Sequence, residues 1–343
     1  MKHKKTQRRS PKRPRPVNKQ RKRQYRIRNW PEYNQALKQR GSLTLWLDVH
    51  ALRGWTQPSK SGRRGASRRY SDEAISCALT LQSVYHLPLR ATQGLLDSLL
   101  ELLGVPLPVP DFSTLSRRRK TLAVNLSQRL HQPQHLSQNQ SVHLVVDATG
   151  FKVYGEGEWK VRQHGWSQRR TWRKLHLGFN EASGEVLAAA VTTNAKSDKE
   201  MLAPLLAQVP APIRQVSGDG GYDAAVCYGA IAKRGARATI APRSNARLHE
   251  RDGRWQERNQ NLQRIRELQG RRRKDPDWGR RQWQQESGYH RRSLAETGVF
   301  RLKTIFGDRL RARTLAGQSS ELLLRCAALN KMALCGMPQS YAL

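Results

Sequence analysis

The acidic residues best placed for chemistry are two aspartates at the ends of predicted strands. Asp147 follows the apolar run 144–146, and Asp219 follows the predicted strand 213–217 and precedes two glycines. A carboxylate beside buried apolar residues is unfavourable unless a cation pairs with it, and a metal ion would serve. Each aspartate taken singly is more often a strand-end or turn residue, so the chemistry depends on a further group elsewhere in the chain.

The segment 289–303 contains such a group. Tyr289, Arg292, Glu296 and Lys303 are spaced so that, at about 100° per residue, all four project from one face of a single helix. One acidic residue among an aromatic and two cations is expected of a metal ligand flanked by phosphate-binding groups. An ordinary exposed ion pair between Arg292 and Glu296 would be favoured if the segment stood alone. Together with the two strand aspartates, the metal-ligand interpretation is favoured.

The elements that must position these residues form a predicted α/β core. Its predicted strands and helices, in chain order, are strand 142–147, strand 172–179, turn 180–184, strand 185–193, helix 198–209, strand 213–217, helix 224–233, strand 236–241 and helix 320–332. Three antiparallel strands followed by alternating helices and strands imply a mixed sheet with helices packed against it.

A helical region is predicted before this core, over residues 71–125. One helix begins at Ser71, a second follows Pro88 and ends at Gly104, and a third begins at Asp111. The third helix is expected to expose a basic face that could bind DNA, formed by Arg117, Arg118, Arg119 and Lys120. A helix-turn-helix and a small helical bundle with a solvated basic face fit the pattern equally well. Residues 29–70 are interpreted as an N-terminal segment that ends in a linker, 59–69.

The composition points to a polyanionic partner. The formal net charge is +37, from 63 Lys and Arg against 26 Asp and Glu, which exceeds what solubility requires. No window approaches the roughly 20 apolar residues that would cross a bilayer, so nucleic acid is favoured over a membrane. The four cysteines lack CxxC spacing and suit buried thiols in a reducing compartment, which predicts a cytoplasmic protein without a zinc site.

Two segments add much of this positive charge. Residues 1–28 contain no acidic residue and are predicted to be a disordered basic arm that contacts phosphates without sequence specificity. Residues 244–285 interrupt the α/β pattern and are interpreted as an Arg-rich insertion that contains Trp255, Trp278 and Trp283. This mixture could contact a DNA backbone and stack on an unpaired base, although an exposed charged helix is its commoner meaning.

The motifs together resemble a known family. Tyr289-x2-Arg292-x3-Glu296-x6-Lys303 matches the Y-R-E-K signature of the insertion-sequence transposases of the families numbered four and five. The resemblance runs from about Trp30 to the C-terminus, and four further segments are similar to the family numbered five: 145–150, 218–223, 155–160 and 328–332. The basic arm and the Arg-rich stretch around 270–274 look like additions to the family pattern.

This resemblance implies a DDE transposase with a ribonuclease-H-like catalytic domain, here residues 141–343. It implies that Asp147, Asp219 and Glu296 are the catalytic residues and the ligands of two divalent ions, Mg²⁺ or Mn²⁺. Tyr289, Arg292 and Lys303 would then bind DNA. The implied partners are double-stranded DNA, as terminal inverted repeats and as target, and a second copy of the chain in a synaptic homodimer associated with the nucleoid.

Several alternatives stay open at this stage. Asp223 competes with Asp219 for the second catalytic position, and Asp219 is preferred because it lies nearer the strand end, with Asp223 as the N-terminal cap of the next helix. His143, His176 and His290 are assigned to packing or phosphate contacts, because hard cations do not require imidazole. The alternative functions are a DNA-binding protein without catalysis, such as a decayed transposase, and a nuclease of the same fold that does not join strands.

Overall fold

The computed structural model describes residues 25–47, 52–56, 69–126, 141–153, 172–249, 252–272 and 275–342. Residues 1–24 of the predicted basic arm, residues 59–68 of the predicted linker and the family-like segment 155–160 lie outside the described residues.

The N-terminal part contains one short strand and five helices whose bounds lie within the described residues. They are β1 (Tyr25–Ile27), α1 (Trp30–Gln39), α2 (Leu43–Trp46), α3 (Asp72–Val84), α4 (Leu89–Leu102) and α5 (Phe112–Arg119). The three predicted helices begin where their caps indicated. The Ser71 hydroxyl accepts a hydrogen bond from the Ala74 amide at 3.0 Å, and the Asp111 carboxylate accepts one from the Ser113 amide at 2.8 Å.

Strand β1 corrects the predicted end of the basic arm. Tyr25–Ile27 pair antiparallel with Ser340–Ala342 near the C-terminus, and the Arg28 amide donates to the Gln339 carbonyl at 2.8 Å. Strand pairing satisfies backbone groups whatever the side chains are, so an argument from charge alone could not detect it. The prediction of disorder up to residue 28 was therefore wrong for these last residues.

The second part is built around a six-stranded mixed sheet. Its elements are β2 (Val142–Val153), β3 (Trp172–Asn180), β4 (Val186–Thr193), α6 (Asp198–Ala207), β5 (Ile213–Gly218), α7 (Ala225–Ala232), β6 (Arg237–Ile240), α8 (Gln256–Gly270), α9 (Trp278–Glu286), α10 (Ser293–Phe306), β7 (Arg309–Leu310), α11 (Leu315–Leu334) and β8 (Ser340–Ala342). The sheet order is β4-β3-β2-β5-β6, with β7 paired to the end of β2, whereas β8 pairs only with β1. Strands β4, β3 and β2 are antiparallel, and β5, β6 and β7 add in parallel, as the predicted α/β core requires.

Both faces of the sheet are covered, which explains the continuous apolar run in β2. Val145 and Phe151 belong to a core shared with α10, α11 and the helical region, whereas Leu144 and Val146 belong to a second core under α6 and α7. A strand buried on both faces cannot alternate apolar with polar residues. Asp147 therefore follows a part of β2 that is buried on both faces of the sheet.

The predicted insertion is more ordered than its composition indicated. Helices α8 and α9 pack against each other, and Trp283 is 2% exposed with its indole Nε1 donating to Asn261. Trp255 stacks on His249 with ring centroids 4.7 Å apart, and Arg272 lies over the ring of Trp278. These contacts within the protein correct the idea that the insertion presents free aromatic rings to an unpaired base.

Two expectations concerned membranes and thiols. Within the described ranges, no helix combines the length and apolar character that a bilayer-spanning segment requires. None of the four cysteines forms a disulfide; Cys77, Cys227 and Cys326 are buried as predicted, whereas Cys335 is only half-buried. The thiol of Cys335 lies just after the last turn of α11, where the apolar pattern fades.

Gly298 sets the distance between α10 and the sheet. A Cβ atom at this position would lie 2.5 Å from the ring of Phe179 in β3. We expect Gly298→Ala to lower the free energy of unfolding by about 2 kcal/mol, because a well-packed core does not accept an added methyl group without strain. The same change should displace α10, and chemical denaturation would measure the loss of stability.

Gly270 provides the matched control for this prediction. It ends α8, and nothing lies within 4 Å of the position its Cβ would take. Gly270→Ala should leave the protein as stable or stabilise it by up to about 1 kcal/mol, the difference in helix propensity. Equal stabilities of the two variants would show that the close approach of α10 is not required.

Candidate active site

The first two carboxylates of the site come from adjacent parallel strands. Val145 of β2 lies opposite Ser217 of β5. Because the strands are parallel, Asp147 and Asp219, each two residues further along, lie on the same side of the sheet's carboxyl-terminal edge. Asp147 lies within β2, whereas Asp219 follows the last residue of β5 and is half-buried. The register that places them together depends on pairing between segments about seventy residues apart.

Each aspartate is oriented by a backbone amide. The Asp147 carboxylate accepts a hydrogen bond from the Ala148 amide at 2.8 Å, and the Asp219 carboxylate accepts one from the Gly221 amide at 2.9 Å. The second bond caps a short 3₁₀ helix, Gly220–Tyr222. One amide bond leaves most of the lone pairs of each carboxylate free for another ligand.

The third carboxylate is carried by the first turn of α10. A 3₁₀ turn, Tyr289–Arg292, leads into this helix, so the predicted single helix is in fact two consecutive helical types. Arg292 nevertheless contacts Glu296, with its guanidinium paired to the carboxylate, and the Arg292 guanidinium lies 5.8 Å from the centroid of the Tyr289 ring. The three residues therefore share a face, as their spacing indicated.

The charges of Asp219 and Glu296 both act on Asp147. Burial raises the pKa of Asp147, and the negative charges of Asp219 and Glu296 raise it further, against the opposing effects of the Ala148 amide and Arg292. Like charges raise the pKa of a carboxyl group only when they lie nearby. Segments that are far apart in the chain thus converge on Asp147.

Two protein-family models match the chain, and both are described as Transposase DDE domain. One matches residues 38–156 and the other matches residues 138–331, which is more than half of the 343 residues. The chain belongs to the DDE transposase family. The longer match spans the sheet and its helices, which form the predicted ribonuclease-H-like fold of this transposase. The narrower assignment to the family numbered five remains a prediction.

The two remaining residues of the Y-R-E-K segment lie on either side of Glu296. Tyr289 packs against Trp283 of α9, with ring centroids 5.5 Å apart, so a residue of the predicted insertion contacts the Y-R-E-K segment. Burial raises the pKa of Tyr289, and the nearby Asp219 and Glu296 raise it further. Lys303 lies two turns beyond Glu296, with its ammonium nitrogen 5.5 Å from the centroid of the Phe151 ring.

Asp223 is committed to contacts within the protein and differs sharply from Asp219. Its buried carboxylate pairs with Arg258 Nε at 2.7 Å and accepts hydrogen bonds from the Tyr228 hydroxyl and the Arg243 amide. Residue 224 caps α7, so the predicted capping role of Asp223 was wrong. The Asp223 carboxylate is instead paired with Arg258 of α8, which belongs to the predicted insertion. These contacts favour Asp219 as the residue that faces the substrate.

The basic face predicted for α5 is only partly exposed. Arg119 is 6% exposed and donates to Gln82 of α3. Arg118 pairs with Asp72 at 2.5 Å, whereas Arg117 and Lys120 are exposed. The expectation of four exposed cations was wrong for Arg118 and Arg119, because α5 packs on α3 through the side that carries them.

Two of the three histidines are buried, and the third lies on the surface. His143 is buried and hydrogen-bonds to the Ser217 hydroxyl at 2.7 Å, and burial lowers its pKa to about 4. His176 is buried and hydrogen-bonds to the Thr192 hydroxyl at 2.9 Å. His290 is exposed at the start of the 3₁₀ turn. Each buried imidazole is thus held by a hydrogen bond to a hydroxyl group on a neighbouring strand.

The three carboxylates offer the oxygen ligands that a divalent cation requires. Two of them, Asp147 and Asp219, lie on adjacent strands. Across the described residues, no group of three or more His, Cys, Asp or Glu side chains is arranged to hold a metal ion. The Glu296 carboxylate pairs with the Arg292 guanidinium. Asp147 and Asp219 have free carboxylate oxygens at adjacent strands, which are the ligands that Mg²⁺ and Mn²⁺ prefer.

Two residues that support the site were missed in the sequence. Gly218 leaves room for the ring of Tyr222, which a Cβ at that position would approach to 2.8 Å, and Gly298 does the same for Phe179. Tyr222 is 1% exposed, and burial raises its pKa. The negative charges of Asp198, Asp147 and Asp219 raise this pKa further. A glycine inside a predicted helix two residues after Glu296 was the available signal, since such a glycine is costly without a packing reason.

Proposed function

We propose that this transposase cleaves DNA at the terminal inverted repeats of a mobile element and joins the freed ends to target DNA. The proposal is carried by the position of Asp147 and Asp219 on adjacent parallel strands, two residues beyond the pair Val145 and Ser217. It is supported by Glu296, whose charge raises the pKa of Asp147. Carboxylates that repel one another beside a strongly basic chain are expected of a site that binds cations and phosphates together.

Asp147 and Asp219 would hold the divalent ions, and Glu296 would complete the set after leaving Arg292. The chemistry that Mg²⁺ or Mn²⁺ supplies when bound is activation of the attacking hydroxyl and stabilisation of the leaving 3′ oxygen. Arg292, once released from Glu296, can donate two parallel hydrogen bonds to a DNA phosphate. The ion pair would thus hold both side chains ready until DNA and cations arrive.

The remaining basic groups would bind and orient DNA. Lys303 would act as a point charge for a phosphate on the same helix as Glu296, and Tyr289 would pack against the strand being cut. Arg117 and Lys120 are exposed on α5 and would contact DNA further from the cleaved bond. Two element ends must be held at once during transposition, so we propose a homodimer in the synaptic complex.

The test uses DNA that carries the inverted repeats flanking the gene, together with Mg²⁺. We expect cleavage at the repeat tips and a joined product, both abolished by chelation and by Glu296→Gln. DNA binding by this variant should persist, because most of the affinity comes from phosphate contacts elsewhere. Gel analysis of cleaved and joined products would measure each step.

Glu267→Gln is the matched control. Glu267 is an exposed helical glutamate paired with an arginine three residues earlier, as Glu296 is paired with one four residues earlier. Its replacement should leave cleavage unchanged. Cleavage without joining would indicate a nuclease of the same fold, and specific binding without nicking in Mn²⁺ would indicate a DNA-binding protein that lacks catalysis.

A further inference from the structure

A pocket of about 450 Å³ lies between the helical region and the segment that joins β7 to α11. Its size is within the range of small-molecule sites. The carboxylates of the candidate active site do not line it; its lining residues are Gln82, His86, Pro88, Leu89, Arg119 and Arg311. The pocket is therefore a separate feature of the molecule.

Positive charge exceeds negative charge around this pocket. Glu321 of α11 is already engaged by Arg325, whose Nη2 donates to it at 2.6 Å, and by the backbone amides of Arg311 and Ala312. Within the described part of the chain, no carboxylate forms an ion pair with the guanidinium of Arg119 or of Arg311. Neither cation is therefore neutralised by a direct ion pair in this part of the chain, and Arg311 Nη1 donates only to the neutral Leu87 carbonyl, at 2.7 Å.

Arg119 is the more unusual of the two. It is 6% exposed, its terminal nitrogen donates to the neutral Gln82 side chain, and its Nε is buried without a hydrogen-bond partner among the described atoms. Burial lowers the pKa of Arg119, and the charges of Arg325 and Arg311 lower it further against the effect of Glu321. A buried charge with an unpaired donor is costly, and an anion in the pocket would offset this cost.

The start of α4 adds a second feature that favours an anion. Pro88 occupies the cap position and offers no side-chain acceptor to the first amides of this 14-residue helix. These amides carry the positive end of the helix dipole, which commonly binds phosphate groups. His86, just before the helix, is the only non-glycine residue with positive φ in the described ranges, at 55°. Local backbone strain of this kind is often found at ligand sites.

We propose that this pocket binds a phosphate group, with Arg119 and Arg311 as its charged ligands and the first turn of α4 as a source of amide donors. The phosphate could belong to a DNA backbone or to a free nucleotide, whose flat apolar part would contact Leu89. The inference depends on the pocket alone and not on the cleavage reaction, so either can fail without the other.

The test measures thermal unfolding of the full chain with inorganic phosphate against chloride at equal ionic strength. Phosphate should raise the melting temperature of the native protein. The phosphate affinity obtained from this rise should be about tenfold weaker in Arg311→Gln, as expected for loss of a charge-assisted hydrogen bond. Arg313→Gln is the control, since Arg313 is exposed two residues further along and does not line the pocket. An equal response of both variants would mean ordinary surface binding and would overturn the proposal.

Arg119→Gln provides an independent check. It removes an unpaired buried charge, so the free protein should unfold at the same or a higher temperature while the phosphate effect disappears. A phosphate effect that survives in this variant also contradicts the proposal. If this variant does not fold, the comparison of Arg311→Gln with Arg313→Gln decides alone.

A DNA titration then distinguishes the two sources of the phosphate. If the pocket binds a backbone phosphate, a deoxynucleoside monophosphate should compete with duplex DNA. Arg311→Gln should also reduce the slope of log affinity against log salt by about 0.9 relative to the native protein. If the ligand is a free nucleotide, the monophosphate should bind the native protein with and without DNA, and the slope for Arg311→Gln should match that of the native protein.

Discussion

Asp147→Asn should abolish DNA cleavage and leave a folded protein that still binds DNA. Asp147 is the residue at which the charges of Asp219 and Glu296 converge, and asparagine keeps its shape without its charge. A loss of at least about a thousandfold in cleavage rate is expected, which corresponds to about 4 kcal/mol of transition-state stabilisation. Single-turnover cleavage of inverted-repeat DNA would measure it.

The stability of this variant is as informative as its activity. Asp147 is partly buried beside two like charges, so removing its own charge relieves repulsion and desolvation. The melting temperature of Asp147→Asn should therefore be equal to or above that of the native protein. A structural aspartate would behave in the opposite way, because its loss would leave a partner unpaired.

Asp97→Asn makes the same chemical change at an exposed position of α4 outside the site. It should alter neither cleavage nor stability beyond about 0.5 kcal/mol. Retention of native cleavage by Asp147→Asn would reject the assignment of this residue, whatever its stability.

The second large effect separates Asp219 from Asp223. Asp223→Asn should destabilise the protein by about 3–5 kcal/mol, because it leaves the buried Arg258 guanidinium without its counter-charge. Asp219→Asn should lose cleavage and remain about as stable as the native protein, because its carboxylate is half-buried and pairs only with the Gly221 amide among the described contacts. Chemical denaturation and the cleavage assay, run on both variants, would measure the contrast.

A double variant tests the cause of the expected destabilisation. Asp223→Asn combined with Arg258→Gln removes both charges, so it should recover part of the stability that Asp223→Asn loses. No recovery would mean that the hydrogen bonds to Tyr228 and the Arg243 amide matter more than the ion pair. Full cleavage by Asp219→Asn, with none by a folded Asp223→Asn, would reverse the assignment of the two residues.

Local interactions allowed much of this protein to be predicted from its sequence. The caps at Ser71 and Asp111 act within three residues, and the apolar strand 142–146 must be buried wherever it lies. The motifs predicted a DDE transposase, which the family matches confirm, because a motif depends on residue types at fixed separations. Helices, strands, sheet class and family thus follow from short-range order.

Contacts between segments that are distant in the chain decided the features that local sequence patterns did not predict. The strand partner of Tyr25–Ile27 lies at the opposite end of the chain, and the counter-charge of Asp223 comes from the predicted insertion. Burial of Arg119 depends on how α5 packs on α3, which its own basic composition argued against. Sequence alone determined which residues could do chemistry; the tertiary structure decided which of them have partners, since burial and ion pairing arise only when distant segments meet.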